Sequence, residues 1–467
     1  MGEVSDLGEL KSGTELLKNR VIENAKIYAL QGKHSSSEFE IFIMTDYNLA
    51  TFAFMEPSTW LAIILTITAV SYACDQLLDF INLRAYRPAI PGEIAAFYNE
   101  EKYARSRAYQ RDRTRFTFLT SGFSFLLSFV MLLMGGFGWL DRALQVYVHH
   151  EIIRALVFFG ILGLLGDLLS TPFQWYGTFV LEERYGFNKT TRATFVSDKL
   201  KGYLLAVLIG GPLLALFIYM AHVLGPNFWI WFSAIAILLI FVINVFYTSL
   251  LLPLFNKLTP LADGELKQAI NAFAAGVNFP LDNIFVIDGS KRSSKANAFF
   301  SGIGKRKKIV LYDTLIERHT TEELVAVLAH EVGHFKKKHV VWTFLLSSIQ
   351  IVFTLFVLSR MLYAEEVSLA LGGDGLSMPL NLVAFGILFS PISGLTGLLM
   401  NILSRRNEFE ADRYARETFG GTALSTALKR LSVDTLSDLY PHPAYVFFHY
   451  SHPPLLERLN ALANPDA

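Results

Sequence analysis

A chain of 467 residues would ordinarily divide into about three soluble domains, but 52% hydrophobic and 14% aromatic residues with a mean hydropathy of +0.37 are too apolar for that. The 41 basic and 41 acidic residues cancel, so no overall field argues for nucleic acid, and the single cysteine excludes intrachain disulfides and thiolate metal cages. What remains is a multi-pass membrane protein with histidine and carboxylate as its available metal ligands.

Residues 1–56 form a polar N-terminal segment without the basic, apolar and cleavable parts of a signal peptide. Residues 57–255 are expected to hold five membrane helices. Span one, Trp60 to Ile81, carries Asp75 and Asp79 near its end, and Cys74 within it reads as a buried bystander. A basic loop rich in arginine leads to span two, Phe116 to Leu140. Span three, Ile152 to Val180, contains Asp167, Pro172 and Gln174, which are costly in lipid and argue for a polar interior. A second basic loop, LEERYGFNKTTRATFVSDKLKG, precedes spans four and five, Tyr203 to Val223 and Phe228 to Phe255, joined by HVLGPN.

The pattern then changes. Residues 256–339 read as a soluble insert, with a helix in LKQAINAFAAGV, a short strand in IFVID before Gly289, and an apolar run, KKIVLYDTL. Residues 340–403 hold spans six and seven, Val340 to Tyr363 and Leu380 to Leu403, with span six running straight on from the helix that ends the insert. Residues 404–467 form a helical C-terminal part. Lys336, Lys337 and Lys338 read as headgroup contacts at the membrane border. Basic and basic-poor loops alternate, which places the N-terminus outside and the insert in the cytoplasm.

The insert ends on TTEELVAVLAHEVGHFKKKH. Thr320 and Glu323 make a capping box, and Leu324, Val327 and Leu328 give helical apolar spacing. On that helix His330 and His334, at i and i+4, share a face and can hold one Zn²⁺, with Glu331 beside it as general base. A catalytic zinc usually takes a third protein ligand and keeps a fourth position for water. His339 lies about 140° from His334 around an ideal helix and cannot share the metal. The best third ligand follows span seven in SRRNEFEADRYARE, where Glu408 and Asp412 share a face and Glu410 points nearly opposite. Glu408 would ligate, and Asp412 would accept the outer N–H of a ligand histidine. The alternative for this stretch is a charged helix end paired with Arg405, Arg406 and Arg413.

These residues, with GSKRSSKANAFFSG at 289–302, IVLYDTL at 309–315, LEERYGFNKTT at 181–191 and HYSHPPLLERL at 449–459, resemble the Ste24-type CaaX prenyl proteases, zinc metallopeptidases of the membrane related to the HtpX family. The resemblance covers most of the chain from about residue 60 onward. It implies His330, His334 and Glu408 as ligands of one zinc ion, Glu331 as base and Asp412 as outer partner. It also implies Asn297 and His452 as groups that steady substrate or the developing oxyanion; the residues alone equally allow a turn cap at Asn297 and a tail anchor at His452. The implied fold is all-α in the membrane, a barrel of seven helices around a water-filled chamber, with a zincin-like α+β domain on the cytoplasmic side.

Expected partners are a protein or peptide substrate, prenylated or not, and membrane lipid, with no nucleic acid. SKANAFFSGIGKRKK looks closer to bacterial members, so a bacterial inner membrane and an HtpX-like quality-control role stand beside the endoplasmic reticulum and CaaX processing. A transporter with an incidental H-E-x-x-H is the non-enzyme alternative.

Overall fold

The computed structural model describes residues 55–87, 89–301 and 307–464, so the polar N-terminal segment lies almost wholly outside the described residues. Helix α1 (Pro57–Arg84) packs beside α2 (Glu100–Leu133), followed by the short α3 (Gly136–Tyr147) and by α4 (Glu151–Tyr176), which widens into a π turn over Gly177–Glu182. Next come α5 (Arg192–Leu205), α6 (Gly211–Leu224), α7 (Phe228–Phe246) and α8 (Leu252–Phe255).

The soluble part holds β1 (Leu258–Pro260), α9 (Glu265–Gly276), β2 (Leu281–Ile287), β3 (Ala298–Ser301), β4 (Lys307–Tyr312), α10 (Asp313–Ile316) and α11 (Thr321–Lys336). After it come α12 (His339–Met361), α13 (Glu365–Ala370), α14 (Met378–Leu388), α15 (Ser390–Thr418), α16 (Gly421–Asp434), α17 (Pro443–His449) and α18 (Leu455–Ala463).

Judged by length and apolarity, five helical runs among the described residues can cross a membrane, or six when the bent pair α14 and α15 counts as one. Seven were expected. The difference lies in Arg192–Phe255, a single helical run of 64 residues that contains expected spans four and five. Straight, it would reach about 96 Å, three times a hydrocarbon core of about 30 Å. It turns instead at Gly225, whose φ of 55° and ψ of −145° suit glycine alone. Phe217 of α6 then meets Phe228 and Phe232 of α7 edge-on, with ring centroids 5.1 Å apart. Only 6–11% of the residues in the apolar windows are buried by the chain itself, a surface that no soluble protein would leave bare.

Several expected boundaries move. Helix α2 starts inside the basic loop, where Asn99 caps it by accepting from the Lys102 N–H at 2.8 Å, and it ends at Leu133 because Gly135 is left-handed. The second basic loop is helical from Arg192, capped by Thr191. Span six is not continuous with the motif helix: Lys338 is left-handed, at φ 60°, and separates α11 from α12. Span seven bends by 48° between α14 and α15. Cys74 is exposed on α1 rather than buried.

The insert folds around a four-stranded sheet of order β1-β2-β4-β3, in which β2 and β4 are parallel and the outer pairs antiparallel. The expected strand is longer than IFVID, and β3 was not foreseen as a strand. Ile284, Ile309 and Leu311 from the sheet pack against Ile270 and Phe273 of α9, Leu324, Val325, Leu328 and Val332 of α11, and Leu424 of α16. Each such side chain contributes about 1.5–3 kcal/mol on burial, so α11 is anchored along its length before any metal is considered.

Candidate metal centre

The start of α11 is fixed by its own chemistry. The Thr320 hydroxyl accepts from the Glu323 N–H at 3.3 Å, and the Glu323 carboxylate accepts from the Thr320 N–H at 3.1 Å and forms an ion pair with Arg430 of α16 at 3.0 Å. With that register set, His330 and His334 aim their Nε2 atoms at a common point, 3.2 Å from each other.

Helix α15 comes close enough to add a third group. A methyl at Gly333 would lie 3.0 Å from the Ala411 Cα and 3.1 Å from its carbonyl oxygen, so the two backbones nearly touch there. Glu408, buried at 4% exposure, then places Oε1 3.2 Å from His334 Nε2 and Oε2 3.5 Å from His330 Nε2. A tetrahedral ion with bonds of about 2.0–2.1 Å needs donors about 3.3–3.4 Å apart, so this His–His–carboxylate set fits a zinc-like ion. Among the described residues it is the group of three or more histidine, cysteine or acidic side chains close enough to hold a metal.

A buried outer layer orients the donors. Asp412 Oδ1 lies 2.7 Å from His330 Nδ1 and accepts its proton, which leaves the Nε2 lone pair facing inward. Arg458 of α18 donates through Nε and Nη2 to the Asp412 carboxylate at 2.8 and 2.6 Å, and its Nη1 lies 3.4 Å from Glu408. Burial alone would raise both carboxyls. The His334 and His330 imidazoles and Arg458 outweigh it at Glu408, holding it at about 2, and Arg458 with His330 does the same at Asp412, also at about 2. Glu331 goes the other way: desolvation of its carboxyl group, aided by the negative Glu408, pushes it up against the opposing histidines and Arg458. Raised proton affinity in a carboxylate beside such a cluster is what general-base chemistry requires.

His452 joins the cluster from its open side. Its Nε2 is 3.4 Å from Glu408 Oε1, its side chain is 65% exposed, and Ser451 holds its Nδ1 at 3.0 Å. Asn297 stands apart. It is exposed at the start of β3, its side-chain oxygen accepting from the Ala298 N–H at 2.9 Å and its carbonyl from the Tyr312 N–H at 3.1 Å. Thus His330, Glu331, His334, Glu408, Asp412 and His452 come together, and Asn297 immediately precedes the edge strand β3. Arg458 was missed in the sequence. Its one signal was its place in the run HYSHPPLLERL.

A family model described as the CAAX prenyl protease N-terminal, five membrane helices, matches residues 79–257, and that of peptidase family M48 matches residues 260–466. A CAAX prenyl protease 1 homolog of Arabidopsis thaliana is 36% identical over 408 residues, covering 85% of this chain and 96% of that protein. The CAAX prenyl protease 1 of Saccharomyces cerevisiae is 33% identical over 433 residues, covering 85% and 94%, and the human homolog 32% over 441 residues, covering 84% and 92%. The crystal structure of S. mikatae Ste24p superposes with a TM-score of 0.82 at 30% identity, covering 86% of this chain and 99% of that one.

Proposed function

The chain belongs to the CAAX prenyl protease 1 family within peptidase family M48, and we propose that it is a zinc endopeptidase of the membrane, cutting near the carboxyl terminus of CaaX-type proteins on the cytoplasmic side. The observation that carries the reading is the convergence of three donor groups, with closest approaches of 3.2–3.5 Å, beside the half-buried Glu331 carboxyl group.

His330, His334 and Glu408 would hold the metal. A zinc ion bound there would supply Lewis-acid polarisation of the scissile carbonyl and a water of lowered pKa. Glu331 would act as general base, taking a proton from the attacking water and passing it to the leaving amine, so no covalent intermediate with the protein is needed. Asp412 and Arg458 keep His330 and Glu408 in place. His452, on the open side, donates to the oxygen that gains charge. The Asn297 oxygen is engaged by Ala298, which leaves its amide N–H₂ to donate, and β3, at the edge of the sheet, can take an extended peptide as an added strand.

Seven crossings follow if Arg192–Phe255 passes twice and α14 with α15 once, and a ring of seven around a wet chamber suits the polar side chains at membrane depth. Asp167 accepts from Lys199 at 2.6 and 2.7 Å, from Tyr203, and from Gln174 at 3.2 Å. The basic loops support a cytoplasmic side for the metal centre. An HtpX-like role would use the same chemistry on other membrane proteins.

The test uses the purified full chain and a prenylated carboxyl-terminal peptide, with its unprenylated twin as comparison. Glu331→Gln should keep its zinc and lose cleavage by a factor of at least about 10²–10⁴. Glu408→Ala should lose the metal. Cleavage by Glu331→Gln at the wild-type rate, or full zinc in Glu408→Ala, overturns the assignment, and equal rates on the two peptides remove the CaaX specificity.

A further inference from the structure

The two ligand histidines are held differently. His330 meets a carboxylate directly through Asp412, whereas His334 Nδ1 meets another imidazole, Nδ1 of His339, at 3.0 Å. The far nitrogen of that second ring, His339 Nε2, lies 3.3 Å from Glu410 Oε2, and Arg406 fixes the other Glu410 oxygen at 3.2 Å. On a continuous helix the five-residue step from His334 to His339 would turn the rings about 140° apart. The chain prevents this by breaking. Lys338 adopts the left-handed region at φ 60°, ψ 27°, which a lysine takes only when its surroundings hold it there. The break swings His339 back under His334, with the ring centroids 5.1 Å apart. His339 is 5% exposed while Lys336, Lys337 and Lys338 are all in the open. A ring buried so deeply needs partners at both nitrogens, and His334 and Glu410 supply them.

The geometry points to Glu410–His339–His334 as a positioning relay for the metal centre, an inference that rests on the metallopeptidase reading above. An ionised carboxylate can only accept, so His339 donates from Nε2 and its bare Nδ1 accepts. His334 must then carry its proton on Nδ1, which leaves the Nε2 lone pair directed at the metal. Glu410 thereby selects the tautomer of a ligand two rings away. His339 and Glu410 touch neither substrate nor metal; they act through His334, as Asp412 acts through His330.

The experiment measures zinc affinity by chelator competition on the detergent-purified full chain, with the absorption spectrum of the Co²⁺-substituted protein as a second readout. His339→Phe removes both links and should weaken zinc by about 10–100-fold and shift the cobalt bands. His339→Asn returns an acceptor oxygen near the lost Nδ1 and should recover most of the affinity and the spectrum. Glu410→Leu should weaken zinc in the same direction, and adding it to His339→Phe should cost nothing more.

Wild-type affinity and spectrum in His339→Phe and Glu410→Leu overturn the relay, as do losses that simply add. If His339→Phe does not fold in its metal-stripped form, judged by thermal melting, Glu410→Leu on the other helix decides alone. Zinc bound by wild type and equally by the variants defeats only the relay, whereas a wild-type chain that binds no zinc defeats the functional reading.

Discussion

Arg458 is the side chain on which the acidic groups of the site depend. It is 12% exposed and shared between Asp412 and Glu408, so with the His334 and His330 imidazoles it is what lets both carboxylates stay buried as ions. The same pairing sets a pH dependence. Asp412 falls from 3.8 to about 2 and Glu408 from 4.5 to about 2 on folding, so the unfolded chain binds protons more readily than the folded one in that window. Their stabilisation is complete above the unfolded values and is lost as pH falls through them toward about 2. For Asp412 the amount is on the order of 2 kcal/mol.

Thermal midpoints of the chelator-stripped protein should therefore drop below about pH 4.5, and Asp412→Asn, less stable at neutral pH, should drop less. An equally steep acid limb in that variant would exclude Asp412 as its source. His330, His334 and Glu408 were legible because helical spacing states which side chains share a face. Arg458 was not, because a charge near the carboxyl terminus carries no information on distance. The placement of His339 against His334 was hidden for a local reason: a left-handed lysine has no glycine or asparagine to announce it.

At the scale of elements, the site depends on how closely α11 and α15 approach. Gly333 permits that approach, since any side chain there meets the Ala411 backbone and, at 3.2 Å, the Tyr414 Cβ. Gly333→Ala must push the helices apart by a few tenths of an ångström or distort one of them. Overpacking of this kind costs about 1–3 kcal/mol. Because the histidines sit on one helix and Glu408 on the other, the same displacement should weaken zinc along with stability, as chelator competition and melting of one sample can check. A variant that loses stability and keeps full zinc affinity would show that the ligands do not depend on this contact.

The capping box at Thr320 fixed the start of α11 on paper and in the fold alike. Other ends were hidden because hydropathy registers only the part of a helix that meets lipid. The arginine-rich start of α2 and the charged start of α5 continue as helix where the apolar signal stops. The bend in span seven had a visible cause in Pro391, which cannot donate to the preceding turn; Ser390 Oγ bonds the Ile387 carbonyl at 2.7 Å in its place.

At the scale of the whole molecule, the proposed reaction needs two separately held parts to stay in register. The metal ligands ride on α11 and α15, while Asn297 and β3 follow the segment 289–296, which is clamped to the membrane helices. Arg292 grips Asp198 of α5 through two bonds of 2.8 and 2.9 Å, and Asn256 and the Phe255 carbonyl at 3.0 and 2.8 Å. Lys295 reaches Glu182 at 2.9 Å and Tyr109 at 3.0 Å, and Ser294 bonds the backbone of Gly186 and Phe187 at 3.0 Å. The runs GSKRSSKAN and LEERYGFNKTT, both distinctive in the sequence, are thus the two faces of one contact, a relation that no spacing rule could give for segments about 100 residues apart.

Arg292→Met removes the strongest grip without touching the metal ligands or any group placed at the reacting atoms. Zinc affinity should then stay at the wild-type value while kcat/KM falls by about 10–100-fold, because a displacement near 1 Å in the strand proposed to position substrate is enough to cost that much. Measured together, the two quantities separate the alternatives. Loss of zinc would mean that the clamp supports the whole insert, and an unchanged kcat/KM would mean that β3 keeps its place relative to the metal without the membrane helices.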